Sequence, residues 1–337
     1  MTSRILLTGG AGYIGSHTYV ALCQAGHHVV ILDDFSNAHR SVPERLEQIT
    51  GKPVALIEAD VRDAAMLDAA FVQHRFDAVV HFAALKAVGE SMTRPLDYFG
   101  VNVGGLTALL QAMDRAGCRR LVFSSSATVY GVPDETPTPE TAPFRAMNPY
   151  GQTKIIGEQM LGWLQGSDPR WAVGILRYFN PAGAHGSALI GEDPCDTPNN
   201  LMPLVARVAT GMMDQIMVFG DDYDTPDGTG VRDYIHVEDL ARGHVMSLAH
   251  LLASGTGHTV NLGTGRGHSV REVIAAYQRA CHRPLPHVVT ARRAGDVPVY
   301  VARADKAAEI LGFRAEKTLA DMCESSWNWA SKAAELT

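Results

Sequence analysis

The sequence predicts an α/β protein, a doubly wound parallel sheet with a smaller C-terminal α/β region. Three observations carry that expectation. Short, nearly continuous apolar runs recur through the first half, stretches with apolar residues at helical spacing alternate with them, and the alternation stops near residue 180. Strands buried on both faces read as unbroken apolar runs, and parallel strands need crossover helices between them.

The expected strands are residues 5–8, 29–32, 54–58, 78–82, 121–124 and 173–177, with helices at 15–25, 64–74 and 106–116 among them. Right-handed crossovers then align the strand carboxyl ends along one edge, where open parallel sheets bind ligands. From 181 to 203 and from 221 to 230 Gly and Pro punctuate the chain, and helices resume at 237–252, 270–281 and 319–330. Residues 1–180 therefore read as one unit and 181–337 as a smaller one set over its ligand edge, with loops free to line a site.

Composition excludes several classes. Of 337 residues 46% are hydrophobic and 19% charged, and 29 basic against 36 acidic residues leave a net charge of -7 with no basic cluster. Such a chain can bury a large core and lacks the basic patch of a nucleic-acid or membrane-surface protein. Five scattered cysteines, Cys23, Cys118, Cys195, Cys281 and Cys323, form no C-x-x-C pair, which points to reduced thiols and to neither disulfides nor zinc. No apolar stretch approaches the roughly 20 residues of a membrane span and no secretory leader is legible, so a cytoplasmic location is expected. The 14 histidines show no metal-binding spacing, and His17, His81, His236 and His244 are expected to be structural.

Residues 9–15, Gly-Gly-Ala-Gly-Tyr-Ile-Gly, join the first strand to the first helix. Gly9, Gly12 and Gly15 give G-x-x-G-x-x-G, and Gly10 lets the run also satisfy G-x-G-x-x-G. Such glycines permit a tight turn, bring backbone N–H groups close to a pyrophosphate and let helix pack on strand, while the helix start supplies positive charge. A flexible loop is the bland alternative; the position between strand and helix favours dinucleotide binding on a Rossmann sheet. Asp33 ends the second strand, where a carboxylate accepts both adenosine ribose hydroxyls and repels a 2′-phosphate, so NAD is expected and not NADP. Asp34 adds to that repulsion, and Asp60, ending the third strand, is placed to meet the adenine.

Tyr150 and Lys154 form Y-x-x-x-K at the opening of a helix. With 10 tyrosines in the chain and only six lysines, chance supplies about 0.2 such pairs. The spacing puts both side chains on one helical face, and an ammonium beside a phenol lowers its pKa toward a usable base. Ser124, Ser125 and Ser126 follow the fifth strand at its ligand-facing end. Local backbone capping explains a serine-rich turn by itself; beside Y-x-x-x-K, at least one of these hydroxyls is expected to bridge a sugar hydroxyl and the tyrosine.

Together T-G-x-x-G-x-x-G, S-S-S and Y-x-x-x-K resemble the extended short-chain dehydrogenase/reductase family. The segments 82–91, 124–131, 176–185, 198–203 and 227–236 resemble its UDP-glucose 4-epimerase branch, and the likeness runs from Arg4 to about Trp329. The resemblance implies Tyr150 as catalytic base, Lys154 as the lysine that holds the nicotinamide ribose, and Ser126 as proton relay. It implies NAD contacts from Tyr13, Ile14, Asp33, Asp34, Asn37, Asp60, Val61, Phe82, Ala83, Lys86, Ser124 and Phe179, beside the glycines. It assigns Asn180, Asn200, the Met217, Val218 and Phe219 strand, Arg232, Arg293, Asp296 and Tyr300 to the UDP-sugar, with Lys86 near both ligands. One departure is at 101–102: the branch carries an asparagine pair and this chain has Val101 and Asn102, which removes the cofactor contact from 101.

What the resemblance implies is inversion at C4 of the hexose in UDP-glucose and UDP-galactose, through a transient 4-keto sugar, as part of galactose metabolism. It also implies a homodimer through helices around 95–116 and 150–164. Arginine forks at 232 and 293 suit a pyrophosphate held firmly while the hexose turns over. A 4,6-dehydratase is the nearest rival, but this chain has Ala127 and Thr128 where dehydratases carry their Asp-Glu pair. A dinucleotide-sensing protein would not need an intact Ser126, Tyr150 and Lys154. Tyr300 matches a pocket-wall position where smaller residues admit N-acetyl sugars, so UDP-N-acetylglucosamine is expected to be a poor substrate, while pentose nucleotides stay open.

Overall fold

The computed structural model describes residues 2–194, 200–293 and 296–335. The first layer begins with β1 (Arg4–Thr8), α1 (Tyr13–Gln24), β2 (His28–Asp33), α2 (Val42–Thr50), β3 (Ala55–Glu58), α3 (Ala64–His74) and β4 (Ala78–His81). It continues with α4 (Val88–Thr93), α5 (Pro95–Tyr98), a π-helical turn at Phe99–Gly104, α6 (Gly105–Ala116), β5 (Arg120–Ser126), a 3-10 turn at Ala127–Tyr130, α7 (Pro149–Ser167) and β6 (Ala172–Tyr178). Then follow β7 (Asn180–Ala182), α8 (Leu201–Ala209), β8 (Ile216–Phe219), β9 (Val231–His236), α9 (Val237–Ser254) and β10 (His258–Leu262). The chain ends with β11 (Gly267–Ser269), α10 (Val270–Cys281), β12 (His287–Thr290), β13 (Val299–Tyr300), α11 (Asp305–Leu311) and α12 (Leu319–Glu335).

Seven parallel strands form the main sheet in the order β10-β6-β5-β4-β1-β2-β3. Ile5, Leu7, Ile31 and Val80 pack on one face with Tyr19 and Val20 of α1 and with Leu240, Leu248 and Leu251 of α9. Leu6, Val79, Leu121 and Val173 pack on the other, with Leu67 and Phe71 of α3, Leu106 and Leu109 of α6 and Leu161 of α7. Apolar burial on both faces is why these strands show no alternation.

The all-parallel sheet and its flanking helices bear out the expected α/β class. The seventh strand, β10, and the helix α9 before it come from beyond residue 180: the chain leaves the first layer, builds β7 to β9, and returns. The second layer is small. β9 pairs with β7 and β13 in parallel and with β11 antiparallel, β8 pairs with β12, and α8, α10 and α12 cover them. No described helix is long and apolar enough to cross a membrane.

Candidate active site

Because the main sheet is parallel, the segments after β1, β2, β4, β5 and β6 leave from one edge. The loop after β1 is shaped by its glycines. Gly9 has φ +69, and a Cβ there would lie 2.6 Å from the Ala83 nitrogen and 2.9 Å from the Phe82 carbonyl carbon. A Cβ on Gly15 would strike the Gly9 carbonyl. Gly12 caps α1 with no side-chain cap, so the first N–H groups of α1, from Tyr13, Ile14 and Gly15, face a cradle that side chains would fill. That geometry fits a dinucleotide pyrophosphate.

Asp33 is buried at the end of β2 and accepts the N–H groups of Ala11 and Phe35, each at 2.9 Å. Burial raises its pKa, opposed by those two bonds. Each carboxylate oxygen keeps a lone pair for a further donor. Asp34 accepts from the Ser36 N–H at 2.9 Å and hydroxyl at 2.7 Å, and Asn37 lies in the same turn. Asp60 is gripped by Arg62, whose Nη2 lies 2.5 Å away, which lowers its pKa, so the end of β3 carries an ion pair and not a lone acid. Val61 is buried against Gly105. Phe82 and Ala83 follow β4, the Phe82 ring packing on His244 at 4.7 Å. Asn102 ties this segment to α7: it bonds both backbone groups of Leu85 and donates to Thr153 Oγ1 at 3.0 Å.

Tyr150 enters α7 just after Pro149, with Asn148 as N-cap accepting from the Gly151 N–H at 2.8 Å. The phenol is buried beside the Ser126 hydroxyl. Burial pushes its pKa up and Ser126 opposes that rise. Lys154 Nζ donates to the Ser124 carbonyl at 2.7 Å and lies 5.8 Å from the Tyr150 ring centre. This corrects the expectation of a phenol lowered by its lysine. In the chain alone the ammonium is anchored on the strand end, and desolvation dominates at the hydroxyl. Burial also lowers Lys154 to about 8, opposed by the charge of Glu158.

On the facing side, Asp296 joins two arginines: Arg293 Nε donates to it at 3.0 Å and Arg232 Nη2 lies 3.7 Å away. The Arg293 guanidinium sits 4.6 Å above the Phe219 ring. Of the β8 trio, Met217 and Phe219 reach outward, while the Val218 side chain is 1% exposed and belongs to the core, leaving only its backbone for a ligand. Tyr300 pairs with Arg232 across β13 and β9, donates its hydroxyl to the Ala127 carbonyl, and packs its ring at a tilt against Phe179, 5.3 Å between centres. It thereby joins the arginine cluster to the serine turn. Asn180 opens β7 opposite Tyr234. Lys86 Nζ and Asn200 Nδ2 converge on Glu192, at 3.3 and 2.8 Å.

Two carboxylates escaped the sequence reading. Glu192 gathers Lys86 and Asn200 only through tertiary closure, and no spacing announces it. Glu158 was legible, because it extends Y-x-x-x-K by one further helical turn on the same face. Cys195, Pro198 and Asn199 lie outside the described residues. His17, His81 and His244 are buried, and no cluster among the described residues could hold a metal ion.

Comparison with known proteins shows the family. Residues 5–263 match the model of the NAD dependent epimerase/dehydratase family. A UDP-glucose 4-epimerase of Yersinia pestis is 51% identical over 329 residues, 97% of each chain. One from Bacillus subtilis is 50% identical over 327 residues, 97% of this chain and 96% of its own. The solved UDP-glucose 4-epimerase of Stenotrophomonas maltophila, with bound NAD and formylated UDP-arabinopyranose, superimposes with a TM-score of 0.98 at 50% identity, over 99% of this chain and all of that one. That of Bifidobacterium longum, in complex with NAD+ and UDP, gives 0.94 at 48% identity, over 98% of both chains.

Proposed function

The chain belongs to the NAD dependent epimerase/dehydratase family, and from that premise we infer that it interconverts UDP-glucose and UDP-galactose by inversion at C4. It is an NAD-dependent isomerase. The observation that carries the reading is the convergence of Ser126, Tyr150 and Lys154 at the end of β5, on the sheet edge that also carries the glycine loop after β1, with Tyr300 linking the serine turn to the strand of Arg232 and its cluster with Asp296 and Arg293.

Bound NAD would supply reversible hydride chemistry at C4, so that inversion there would need no net redox change. Gly9, Gly12, Gly15 and the start of α1 would hold its pyrophosphate, Asp33 its adenosine ribose and Lys154 its nicotinamide ribose. Tyr150 Oη takes the proton of the sugar 4-hydroxyl, and the Ser126 hydroxyl bridges the two oxygens. Burial keeps bulk water from competing for that proton. Arg232 and Arg293 grip the UDP pyrophosphate as charge-assisted forks, with Asp296 and Asn200 beside them. Lys86 and Asn180 border the hexose, and Tyr300 walls the pocket against an N-acetyl group.

The same reading places the division of labour near residue 180, cofactor before it and UDP-sugar after it, apart from α9 and β10. It places the protein in the cytoplasm. It also pairs two copies through the helices around 95–116 and 150–164, where Leu96 and Trp163 are 83% and 82% exposed. The test is direct: purified protein given UDP-galactose yields UDP-glucose without accumulating reduced cofactor, and turns over UDP-N-acetylglucosamine far more slowly. A 4,6-dehydratase product in its place would overturn the assignment.

A further inference from the structure

Tyr150, Lys154 and Glu158 stand one turn apart on the buried face of α7. Each meets one of the three consecutive serines that end β5. The Lys154 ammonium binds the Ser124 carbonyl, the Tyr150 phenol faces the Ser126 hydroxyl, and Glu158 Oε1 accepts from the Ser125 hydroxyl at 2.5 Å. Glu158 also takes the Arg177 fork: Nε at 2.9 Å and Nη2 at 2.6 Å. Arg177 lies on β6, where Ser125 is its register partner, and its Nη1 donates to Tyr130 Oη at 3.1 Å and to the Glu140 carbonyl at 2.8 Å.

Glu158 and Arg177 are 4% and 7% exposed. A buried ion pair is a poor device for stability, since an apolar pair of the same volume serves as well or better, whereas it fixes geometry strictly because both charges demand their partners. This pair sits where strictness matters. Strand β5 can present the Ser124 carbonyl to Lys154 and the Ser126 hydroxyl to Tyr150 only in one register against α7, and Ser125 lies between them.

We propose that Glu158 is a positioning residue for proton transfer at Tyr150: by holding the Ser125 hydroxyl and the Arg177 fork together it locks residues 124–126 against α7. The inference rests on Tyr150 being the base. Among the described residues Glu158 is the group whose charge acts on the Lys154 ammonium; the Tyr150 ring lies 5.8 Å away, His81 on β4 is held neutral by burial, and Arg177 on β6 reaches the same Glu158 carboxylate. Glu158 therefore supplies the negative charge that favours the protonated lysine.

The test uses the NAD-bound enzyme carrying Glu158→Gln, with Glu158→Asp and Ser125→Ala beside it. In E158Q, kcat for UDP-galactose falls roughly ten-fold or more, as expected for a small misplacement of a reacting group, while KM stays within about two-fold of wild type. The alkaline limb of kcat moves to lower pH, because the ammonium has lost its nearby carboxylate, and E158D moves it back. S125A breaks one link without stranding a buried charge; it lowers kcat several-fold and keeps the wild-type limb. If E158Q does not fold, E158D and S125A decide, and wild-type kcat in both overturns the proposal. A loss in E158Q that merely tracks loss of folded protein, with the limb unmoved, also overturns it. Wild-type turnover in Y150F would instead remove the reading on which the inference rests.

Discussion

The hydroxyl of Tyr13, the first residue of α1, donates to the carbonyl of Gly183 at 2.6 Å, across 170 residues of chain. It ties the glycine cradle of the first layer to the segment that leaves β7. Burial, and after it the charge of Glu192, raises this phenol well above its usual range, so it stays a donor at any working pH. Tyr13→Phe leaves a buried carbonyl without its donor, which costs about 1–2 kcal/mol. The expected outcome is a lower thermal midpoint together with a raised KM for UDP-galactose; a midpoint equal to wild type would show that the two layers do not depend on this bond.

Gly15→Ala forces a methyl group into the carbonyl of Gly9. The backbone must move, at about 1–3 kcal/mol, and the loop that moves is the one that approaches the pyrophosphate. Purified G15A should carry little NAD and melt earlier, whereas Gly51→Ala, at a left-handed surface position with nothing within 4 Å, should keep its cofactor. Equal NAD content in G15A and wild type would contradict the cradle.

Acid should unfold this protein early. Burial lowers His81 to about 3 and His244 and His258 to about 4, against an ordinary value of 6.5. His244 Nδ1 binds the Leu240 carbonyl at 2.9 Å, and its Nε2 is buried with no partner among the described residues, so a second proton has no acceptor. The unfolded chain binds more protons than the fold between these values. Each histidine's stability is thus complete above about pH 6.5 and is lost as pH falls toward 4 for His244 and His258 and toward 3 for His81, to a limit of about 3 kcal/mol for each of the first two and about 5 kcal/mol for His81. The thermal midpoint should drop across pH 6.5 to 4, and His244→Gln should flatten the drop; a level midpoint over that window would refute the argument.

Much of this was legible because the signals are local. Helices at 64–74 and 270–281 coincide with α3 and α10, and the glycine run and Y-x-x-x-K lie where their spacing placed them. The return of the chain through α9 to β10 was not legible. Residues His258–Leu262 carry Thr259 and Asn261 within a short run, and only pairing with β6 makes a strand of them. Val218 reads as part of a ligand strand until burial shows its side chain turned to the core. The ammonium of Lys154 could be placed on the face of Tyr150 by spacing, yet which acceptor it takes depends on the Ser124 carbonyl, 30 residues away.

The central claim is that Tyr150 moves the proton in a C4 inversion, and Tyr150→Phe measures it most directly. The substitution removes one hydroxyl and keeps the ring that packs beneath the serine turn, so the fold and NAD content should match wild type. Conversion of UDP-galactose to UDP-glucose should fall by about 10²–10⁴-fold. Wild-type conversion by the folded, NAD-loaded Y150F enzyme would contradict the account.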